Sequence, residues 1–542
     1  MASTRDSRSR ALWWLTALLI AALPALPIGV VLASWFMPAG DAGQHVLEYV
    51  LLRVSINTVW MTTLVAGLSA LLGVSLAWLT ANCEFPGRRF FNWTLLLPLA
   101  FPAYVMAFSL ADVFGFNGVA HGSLRAVIDN ALPWFSLHPG LASASCLSLS
   151  LYPYVYLLSR QAFSSQGLNT YEAAQSLGCS PRAAFFKVSL PMARPWIVGG
   201  LSLVVMETLA DFGTVQIFNF DTLTSAIYTA WFGLFSLPAA LQLASALLLL
   251  VVLAVLLERH ARGRRGFSGT NERQRTRRIS LNGGQAFVAM FACGFVFTLA
   301  FVIPFARLAY NAIKNLDREF SAEYFAYVWH SLSLSGLTAA ALLALGLLLA
   351  LSGRALGTGT ARGVQRFATL GYALPGTVLA VGFFVPVAGL GHVLSASFSS
   401  LSGETVSVVL TGGLLTLLLA LCTRYLAVAF QPLENGLLKI TPNMEDAARG
   451  LGSSGINLVQ RVHWPLLRPA LATAILLVFV DVMKELPITL MTRPFGWDTL
   501  AVRVFQMTTE GEWERAALPS LSIVVVGLLP LWIINKRSAQ HA

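Results

Sequence analysis

One short stretch of sequence occurs twice in this chain, half a chain length apart. Residues 172–178 read EAAQSLG and are followed by VSLP at 188–191, while residues 446–452 read DAARGLG and are followed by VHWP at 462–465. The offset between the copies is 274 residues in a chain of 542, and glycine and proline are 13 positions apart in both copies. A repeat on this scale predicts a fold built from two similar halves.

Other short segments fall near the same offset and extend the repeat over most of each half. Both halves carry a proline in a membrane stretch, Pro102 and Pro375, which we expect to kink the helix, with simple packing favoured over a gating role. The remaining matches are the acid pairs Glu207/Asp211 and Asp481/Glu485, and the DTL segments at 221–223 and 498–500.

The composition places both halves in a membrane. Hydrophobic residues make up 56% of the chain and charged residues 11%, whereas an average soluble domain carries about 25% charged residues. This difference excludes a soluble enzyme. A membrane span needs about 20 apolar residues, and about twelve such stretches predict an all-α membrane protein with two parallel six-helix repeats. They lie near residues 11–37, 54–80, 93–113, 141–163, 195–215, 236–257, 286–309, 331–352, 367–390, 405–428, 469–488 and 517–535.

Basic residues predict the orientation of the chain. The chain has 36 Lys and Arg against 25 Asp and Glu, a net charge of +11, and most of the basic residues fall on the cytoplasmic side if the N-terminus is placed inside. Both termini are then cytoplasmic, and the positive charge reflects topology rather than nucleic-acid binding. We predict a first repeat at 1–257, a basic cytoplasmic linker at 258–285, and a second repeat at 286–542. The linker is expected to be a tether, with anionic-lipid recognition as the alternative.

The repeated stretch predicts a helix–turn–helix on the cytoplasmic side of each half. We call residues 164–194 the first elbow and residues 438–468 the second elbow. A glycine ends the first short helix of each elbow, and a proline closes the second. Several apolar side chains are expected to be exposed and to dock into a partner's groove, with an elbow lying in the lipid interface as the alternative. These side chains are Leu177, Phe185, Phe186, Leu451 and Leu458.

This pattern resembles the EAA loop of permease subunits of bacterial ABC importers. The first copy fits the family's signature throughout, and the second departs from it at Asp446 and at Trp464. The resemblance implies the type I permease fold in the inner membrane, and a coupling helix in each elbow that sits in a separate ATP-hydrolysing subunit. ATP and Mg²⁺ would then be bound by two copies of that subunit, since this chain has no GxxxxGK[ST] phosphate loop. The implied coupling residues are Glu172, Ala173, Ala174, Gly178, Leu190 and Pro191, and Asp446, Ala447, Ala448, Gly452, Trp464 and Pro465.

Two fused permease copies in one chain resemble the ferric-iron importers in particular. The segments that carry this likeness are 206–215, 221–224, 481–487, 493–495 and 498–501. The resemblance implies Fe³⁺ delivered by a periplasmic binding protein. Thiamine, polyamine, sulphate and phosphonate permeases have similar elbows, so another small solute remains an alternative. An ion-driven secondary transporter would share the parallel repeat, but it predicts neither an ATPase partner nor matched elbows. A membrane-embedded enzyme would need a nucleophile or metal constellation, which the sequence lacks.

Four acidic residues are predicted to lie inside the membrane. Glu207 and Asp211 are four residues apart and so share a helix face, as do Asp481 and Glu485 at the matched positions. Four carboxylates around a central path would offer oxygen ligands to a hard cation such as Fe³⁺, with only transient contacts. The alternative is that Lys484 neutralises one acid and that the acids cap broken helix ends. Gly213 and Pro487 are expected to break the helices just after the acids.

Overall fold

The computed structural model describes residues 2–38, 40–115, 118, 138–166, 168–262, 278–402, 409–453 and 456–540. Most of the predicted linker, residues 263–277, and residues 167, 454 and 455 of the elbows lie outside this set. The described part of the chain is dominated by helices. The helices of the first half are α1 (Ala2–Ala33), α2 (Gly40–His45), α3 (Leu51–Asn82), α4 (Arg88–Thr94), α5 (Ala103–Phe114), α6 (Pro139–Gln166), α7 (Asn169–Ser176), α8 (Pro181–Ala184), α9 (Leu190–Ala210), α10 (Gly213–Ile217), α11 (Leu223–Tyr228) and α12 (Leu237–Arg262).

The second half follows the same order of elements. Its helices are α13 (Gly284–Phe297), α14 (Ile303–Lys314), α15 (Leu316–Glu319), α16 (Ala322–Leu356), α17 (Gly359–Ala368), α18 (Gly376–Ser402), α19 (Leu414–Leu438), α20 (Pro442–Gly450), α21 (Ile456–Leu458), α22 (Trp464–Met483), α23 (Pro487–Thr492), α24 (Leu500–Thr509) and α25 (Ala517–Gln540). Two short strands, β1 (Cys83–Glu84) and β2 (Ile279–Ser280), pair in parallel. Short π-helical segments span Val46–Val50, Phe185–Ser189, Thr229–Gly233, Thr298–Val302 and Val459–His463, and 3₁₀ turns span Ser34–Phe36, Leu97–Ala100 and Thr369–Ala373.

The number of spans agrees with an all-α membrane protein and falls slightly below the predicted twelve. By length and composition, ten helices among the described residues could cross a membrane, and an eleventh is obtained if one bent pair counts as a single span. The last predicted span, near 517–535, falls in α25, whose apolar stretch Ala517–Pro530 is shorter than a full span.

Both predicted proline kinks are confirmed as breaks in the helix. Pro102 precedes α5, and the helices on either side of it, Arg88–Ala100 and Ala103–Phe114, meet at 99°. Pro375 lies at the matched point, between the 3₁₀ turn that ends at Ala373 and the start of α18. The cause is the same in both, because proline has no N–H to continue the helical ladder and its ring clashes with the preceding turn.

The described chain forms two compact units that are divided differently from the two sequence repeats. Unit 1 contains Met1–Gln44, Ile227–Ser245 and Ser321–Arg503, and unit 2 contains the rest. The first span of the chain, α1, therefore packs in unit 1 against α16, α17 and α18, which belong to the second repeat. In unit 2, α14 from the second repeat packs against α5 of the first repeat. There Arg307 Nε donates to Asp112 Oδ2 at 2.6 Å.

In unit 2, α3, α6 and α9 pack closely around one point on α6. A Cβ built on Gly73 of α3 would lie 2.6 Å from Val155 Cβ, and a Cβ built on Gly200 of α9 would lie 2.8 Å from Val155 Cα. Small residues allow such close helix approaches in membranes, where packing rather than water exclusion drives association. The two glycines therefore set the spacing of the three central helices.

Gly73→Ala is expected to lower the thermal unfolding midpoint of the purified protein, because the added methyl group overpacks the α3–α6 contact at a cost of about 1–3 kcal/mol. Gly67→Ala is the matched control, since Gly67 lies on the same helix with nothing within 4 Å of its built Cβ. That change should be neutral or slightly stabilising, as alanine favours helix. Equal midpoints for the two variants would contradict the close approach.

Candidate functional site

The first elbow turns at Gly178 through a hydrogen-bonded helix end. The helix α7 stops at Ser176, after which Gly178 N–H donates to Gln175 O at 2.9 Å and Cys179 N–H donates to Ala174 O at 3.0 Å. This pair of bonds is the Schellman arrangement, which requires a left-handed residue at the glycine position. Gly178 has φ +87°, a conformation that a side chain would strain.

The second elbow repeats this turn 274 residues later. Gly452 N–H donates to Arg449 O at 2.9 Å, and Ser453 N–H donates to Ala448 O at 2.9 Å. Gly452 has φ +83°. The two helix ends therefore have the same pair of hydrogen bonds, although Gln175 of the first turn corresponds to Arg449 in the second, and Cys179 corresponds to Ser453.

Each turn presents one leucine outward at the same position of the motif. Leu177 is 87% exposed and Leu451 is 88% exposed. Phe186 is also exposed, as predicted. The expectation was wrong for two other side chains. Phe185 is half-buried, with its ring centroid 4.8 Å from that of Trp78, and Leu458 is buried.

The remaining motif residues occupy matched places in the two elbows. Ala173 and Ala447 are exposed, Pro191 and Pro465 lie in the first turns of α9 and α22, and Trp464 is 49% exposed. The acids differ in their surroundings. Glu172 is half-buried in the first turn of α7, whereas the exposed Asp446 pairs with Arg449 at 3.2 Å. Ala174 is buried and Ala448 is half-buried, Gly178 and Gly452 are the glycines of the two turns, and Leu190 begins α9.

The elbows are attached by residues that the motif does not contain. In the first elbow, Tyr171 and Phe185 pack against Trp78 near the end of α3, with ring centroids 5.4 and 4.8 Å away. In the second elbow, Glu445 lies 2.7 Å from Arg354 near the end of α16 and 2.9 Å from His463. The sequence carries no local signal for either cluster. An alignment of the two repeats does not indicate these clusters either, because the aromatic Tyr171 aligns with the acidic Glu445.

In unit 2, Asp211 sits in a helix break and caps the next helix. The helix α9 ends at Ala210, and α10 begins at Gly213, as predicted. Thr214 Oγ1 donates to Asp211 Oδ1 at 2.9 Å, and Val215 N–H donates to Asp211 Oδ2 at 3.2 Å. Both carboxylate oxygens of Asp211 therefore accept bonds from the first turn of α10.

In unit 1, Glu485 has the equivalent position and is more deeply buried, at 5% exposure. The helix α22 ends at Met483 and α23 begins at Pro487, so the predicted break is confirmed here too. Ile488 N–H donates to Glu485 Oε1 at 2.8 Å, while Thr489 N–H and Thr489 Oγ1 donate to Oε2 at 2.9 and 2.8 Å. Glu485 thus has a capping role like that of Asp211.

The other two acids lie on the helices before these breaks. Asp481 is partly buried and pairs with Lys484 at 2.9 Å, which is the neutralisation that the sequence offered as an alternative. Glu207 is half-buried on α9 in unit 2. Within the described residues, no three His, Cys, Asp or Glu side chains are grouped to hold a metal ion.

The DTL segments dock on the first turns of a long helix in the same way in both units. Leu223 N–H donates to Thr58 Oγ1 at 3.0 Å in unit 2, and Leu500 N–H donates to Ser331 Oγ at 2.8 Å in unit 1. On each helix, the residue just before this acceptor also contacts the DTL segment. Asn57 Nδ2 donates to Asp221 O at 2.9 Å, and His330 Nδ1 lies 3.0 Å from Asp498 O. These bonds use backbone atoms of both DTL segments, so the same docking geometry occurs in both units.

Comparisons with known proteins agree with this architecture. Residues 69–266 match the family model described as binding-protein-dependent transport system inner membrane component. The chain is 24% identical over 534 residues to the Fe(3+)-transport system permease protein FbpB 2 of Haemophilus influenzae, covering 97% of this chain and 98% of that protein.

Two further relatives match over shorter stretches. The sulfate transport system permease protein CysT of Salmonella typhimurium is 30% identical over 185 residues, which cover 33% of this chain and 65% of that protein. The molybdenum transport system permease protein ModB of Haemophilus influenzae is 28% identical over 191 residues, which cover 34% of this chain and 80% of that protein.

The likeness to a fused ferric-iron permease is therefore confirmed over nearly the whole chain, and the family consists of membrane permeases rather than enzymes. Such permeases work with an ATPase and a periplasmic binding protein. Residues 69–266 match the family model, and over nearly its whole length the chain is similar to a permease of the ABC-importer class.

Proposed function

We propose that the chain passes Fe³⁺ from a periplasmic binding protein to the cytoplasm by alternating access. The energy would come from ATP and Mg²⁺ bound by two copies of a separate ATPase subunit, one at each elbow. The observation that carries this proposal is the pair of matched elbows, with the same turn and the same exposed leucine 274 residues apart. Two equal docking points suit two copies of one partner.

The proposed orientation has both elbows and both termini in the cytoplasm. The support is the distribution of basic residues, which are enriched in the segments that follow the even-numbered spans. In this orientation the elbow residues from Glu172 to Pro191 and from Asp446 to Pro465 face the ATPase subunits. ATP binding would draw the two elbows together and shift the helices from inward-open to outward-open, because the closed ATPase dimer binds one arrangement better than the other.

We propose Fe³⁺ rather than another solute because the ferric-iron relative matches 97% of the chain, whereas the sulfate and molybdenum relatives match about a third of it. We propose transient contacts to carboxylates, since oxygen ligands suit a hard cation and a tight site would trap it. Asp211 and Glu485 already accept capping bonds. The proposed transient contacts involve the four acids Glu207, Asp211, Asp481 and Glu485.

Uptake of labelled iron by the reconstituted complex, with and without ATP, tests this proposal. ATP-dependent uptake that unlabelled Fe³⁺ suppresses, and that sulfate, molybdate and thiamine do not, is the expected result. Suppression by one of these other solutes would reassign the substrate while keeping the transporter class. Uptake that persists without the ATPase and follows an ion gradient would indicate a secondary transporter.

Cysteine labelling provides a separate test of docking at the first elbow. Four of the five cysteines are buried, and Cys179, at the turn, is the partly exposed one. Burial also raises the pKa of the Cys83 thiol to about 11, which keeps that thiol protonated and unreactive. A maleimide should therefore label Cys179. With the ATPase at about ten times its dissociation constant, the labelling rate should fall roughly tenfold, as only the free fraction reacts.

Cys179→Ser is the control for this measurement and should abolish the labelling. An unchanged labelling rate in the presence of bound ATPase would show that the subunit docks elsewhere.

A further inference from the structure

The two elbows share a turn but differ in how they are joined to the membrane helices. In the first elbow the joint is aromatic, and in the second it is ionic. Both joints lead to the corresponding long helix, α3 in the first repeat and α16 in the second. The two elbows contact corresponding helices through side chains of different chemical types. This recurrence indicates that the contact between elbow and long helix is functionally important.

In the second elbow, Arg354 joins three elements at once. Its guanidinium lies 2.7 Å from Glu445 on α20, and it donates to Leu437 O and Ile440 O at the end of α19, at 2.7 Å each. Arg354 itself belongs to the last turn of α16. A planar guanidinium can hold several acceptors in a fixed arrangement, which an ammonium group cannot do.

Glu445 extends this junction to a fourth element. Its carboxylate is only 14% exposed and also contacts His463, whose side chain is 9% exposed and which immediately precedes α22. Movement of α20 therefore cannot leave α16 and α22 in place without breaking a partly buried charged contact. Removing one partner of such a pair is costly, because the other charge remains in a poorly solvated site.

The first elbow achieves the same connection through Trp78. The ring of Trp78, on α3, lies 5.4 Å from Tyr171 of α7 and 5.2 Å from Phe163 of α6, measured between ring centroids. Phe185, just after α8, completes the cluster. Edge-to-face aromatic contacts of this kind have a preferred geometry and stabilise the cluster beyond the apolar area that they bury.

We infer that Arg354 and Trp78 are positioning residues that transmit the movement of each elbow to the membrane helices, Arg354 through the partly buried carboxylate of Glu445 and Trp78 through the ring of Tyr171. This inference rests on the proposed function, since it assumes that the ATPase moves the elbows. It identifies the helices that receive the movement of each elbow, and it assigns the transmission of that movement to residues outside the coupling motif.

The test measures the number of ATP molecules hydrolysed per iron ion transported, in liposomes containing the permease, ATPase and binding protein, normalised to assembled complex. Arg354→Met is expected to raise this ratio by roughly tenfold, within the range of allosteric couplings, while the ATPase still binds. Glu445→Leu should give a similar ratio. The double variant should be less impaired than the product of the two single effects predicts, because both changes break the Arg354–Glu445 contact.

Arg362→Met is the matched control. Arg362 is an exposed arginine on α17, the helix that follows α16, so the change removes the same charge without touching the junction. Its ratio should stay at the wild-type value. If Arg354→Met fails to assemble, Arg354→Lys takes its place, since it keeps the charge but loses the fixed geometry. Its ratio should rise severalfold.

The possible failures can be told apart. A wild-type complex that takes up iron with ATP, together with an unchanged ratio in the assembled Arg354 and Glu445 variants, would overturn the inference and leave the proposed function standing. A wild-type complex without ATP-dependent uptake or ATPase association would overturn both. A change in assembly or melting temperature with an unchanged ratio would show a structural role only, and would overturn the inference.

Discussion

Replacing Leu177 and Leu451 together by aspartate is expected to abolish ATPase binding and ATP-driven uptake. Each leucine is nearly fully exposed on its turn, and burying a leucine side chain contributes about 1.5–3 kcal/mol. Independent sites add, so the double change should weaken the complex by roughly 10²–10⁴-fold, at 1.4 kcal/mol per factor of ten. Co-purification of the ATPase with the permease and uptake of labelled iron measure the effect.

The matched control for this pair is Leu316→Asp. Leu316 is 42% exposed at the start of α15 and lies outside both elbows. This variant should retain ATPase binding within about twofold, as surface changes away from an interface usually have small effects. The ATPase affinity of each single variant, Leu177→Asp or Leu451→Asp, should lie between the affinities of the control and the double variant. Full ATPase binding by the double variant would show that the elbows are not part of the interface with the ATPase.

Glu485→Ala is expected to be the most destabilising of the changes at the four intramembrane acids. The substitution deletes three hydrogen bonds and leaves the N–H groups of Ile488 and Thr489 without a partner in a buried break. An unsatisfied buried donor costs about 1–3 kcal/mol, so the loss should total on the order of 3 kcal/mol or more. A thermal melt of the detergent-purified protein, followed by size-exclusion chromatography, measures it.

Asp481→Ala offers the comparison on the preceding helix. Asp481 is partly buried and its side chain pairs with Lys484 at 2.9 Å, and a pair that is partly solvated contributes only about 1 kcal/mol or less. A small change in midpoint is therefore expected. If Glu485→Ala instead melted like the wild type and lost only transport, Glu485 would act on the substrate rather than as a cap.

The local turns could be predicted from the sequence because single residue types determine them. Glycine with positive φ ends α7 and α20, and proline breaks the helices at Pro102 and Pro487. These constraints act within a few residues of the backbone, so a spacing pattern is enough to locate them. The same reasoning located the helix breaks next to Asp211 and Glu485.

The exposed side chains of the elbows were harder to predict. Phe185 begins the π-helical segment Phe185–Ser189, and Leu458 directly precedes the corresponding segment Val459–His463. A π-helical turn contains an extra residue, so it rotates the side chains around it relative to a regular α-helix. The ionic junction at Arg354 was missed for another reason. Its partner Glu445 lies 91 positions away, and no local pattern links them.

The exchange of first spans between the repeats has a consequence for biogenesis. The helix α1 is synthesised first, but the α16–α18 surface against which it packs begins at residue 322. At translation rates of about 5–20 residues per second, the ribosome needs roughly 15–60 seconds to reach that point. Unit 2 likewise requires the C-terminal residues 504–542. Neither unit can be completed during the first half of translation, so α1 must wait in the bilayer for partners that have not yet been made.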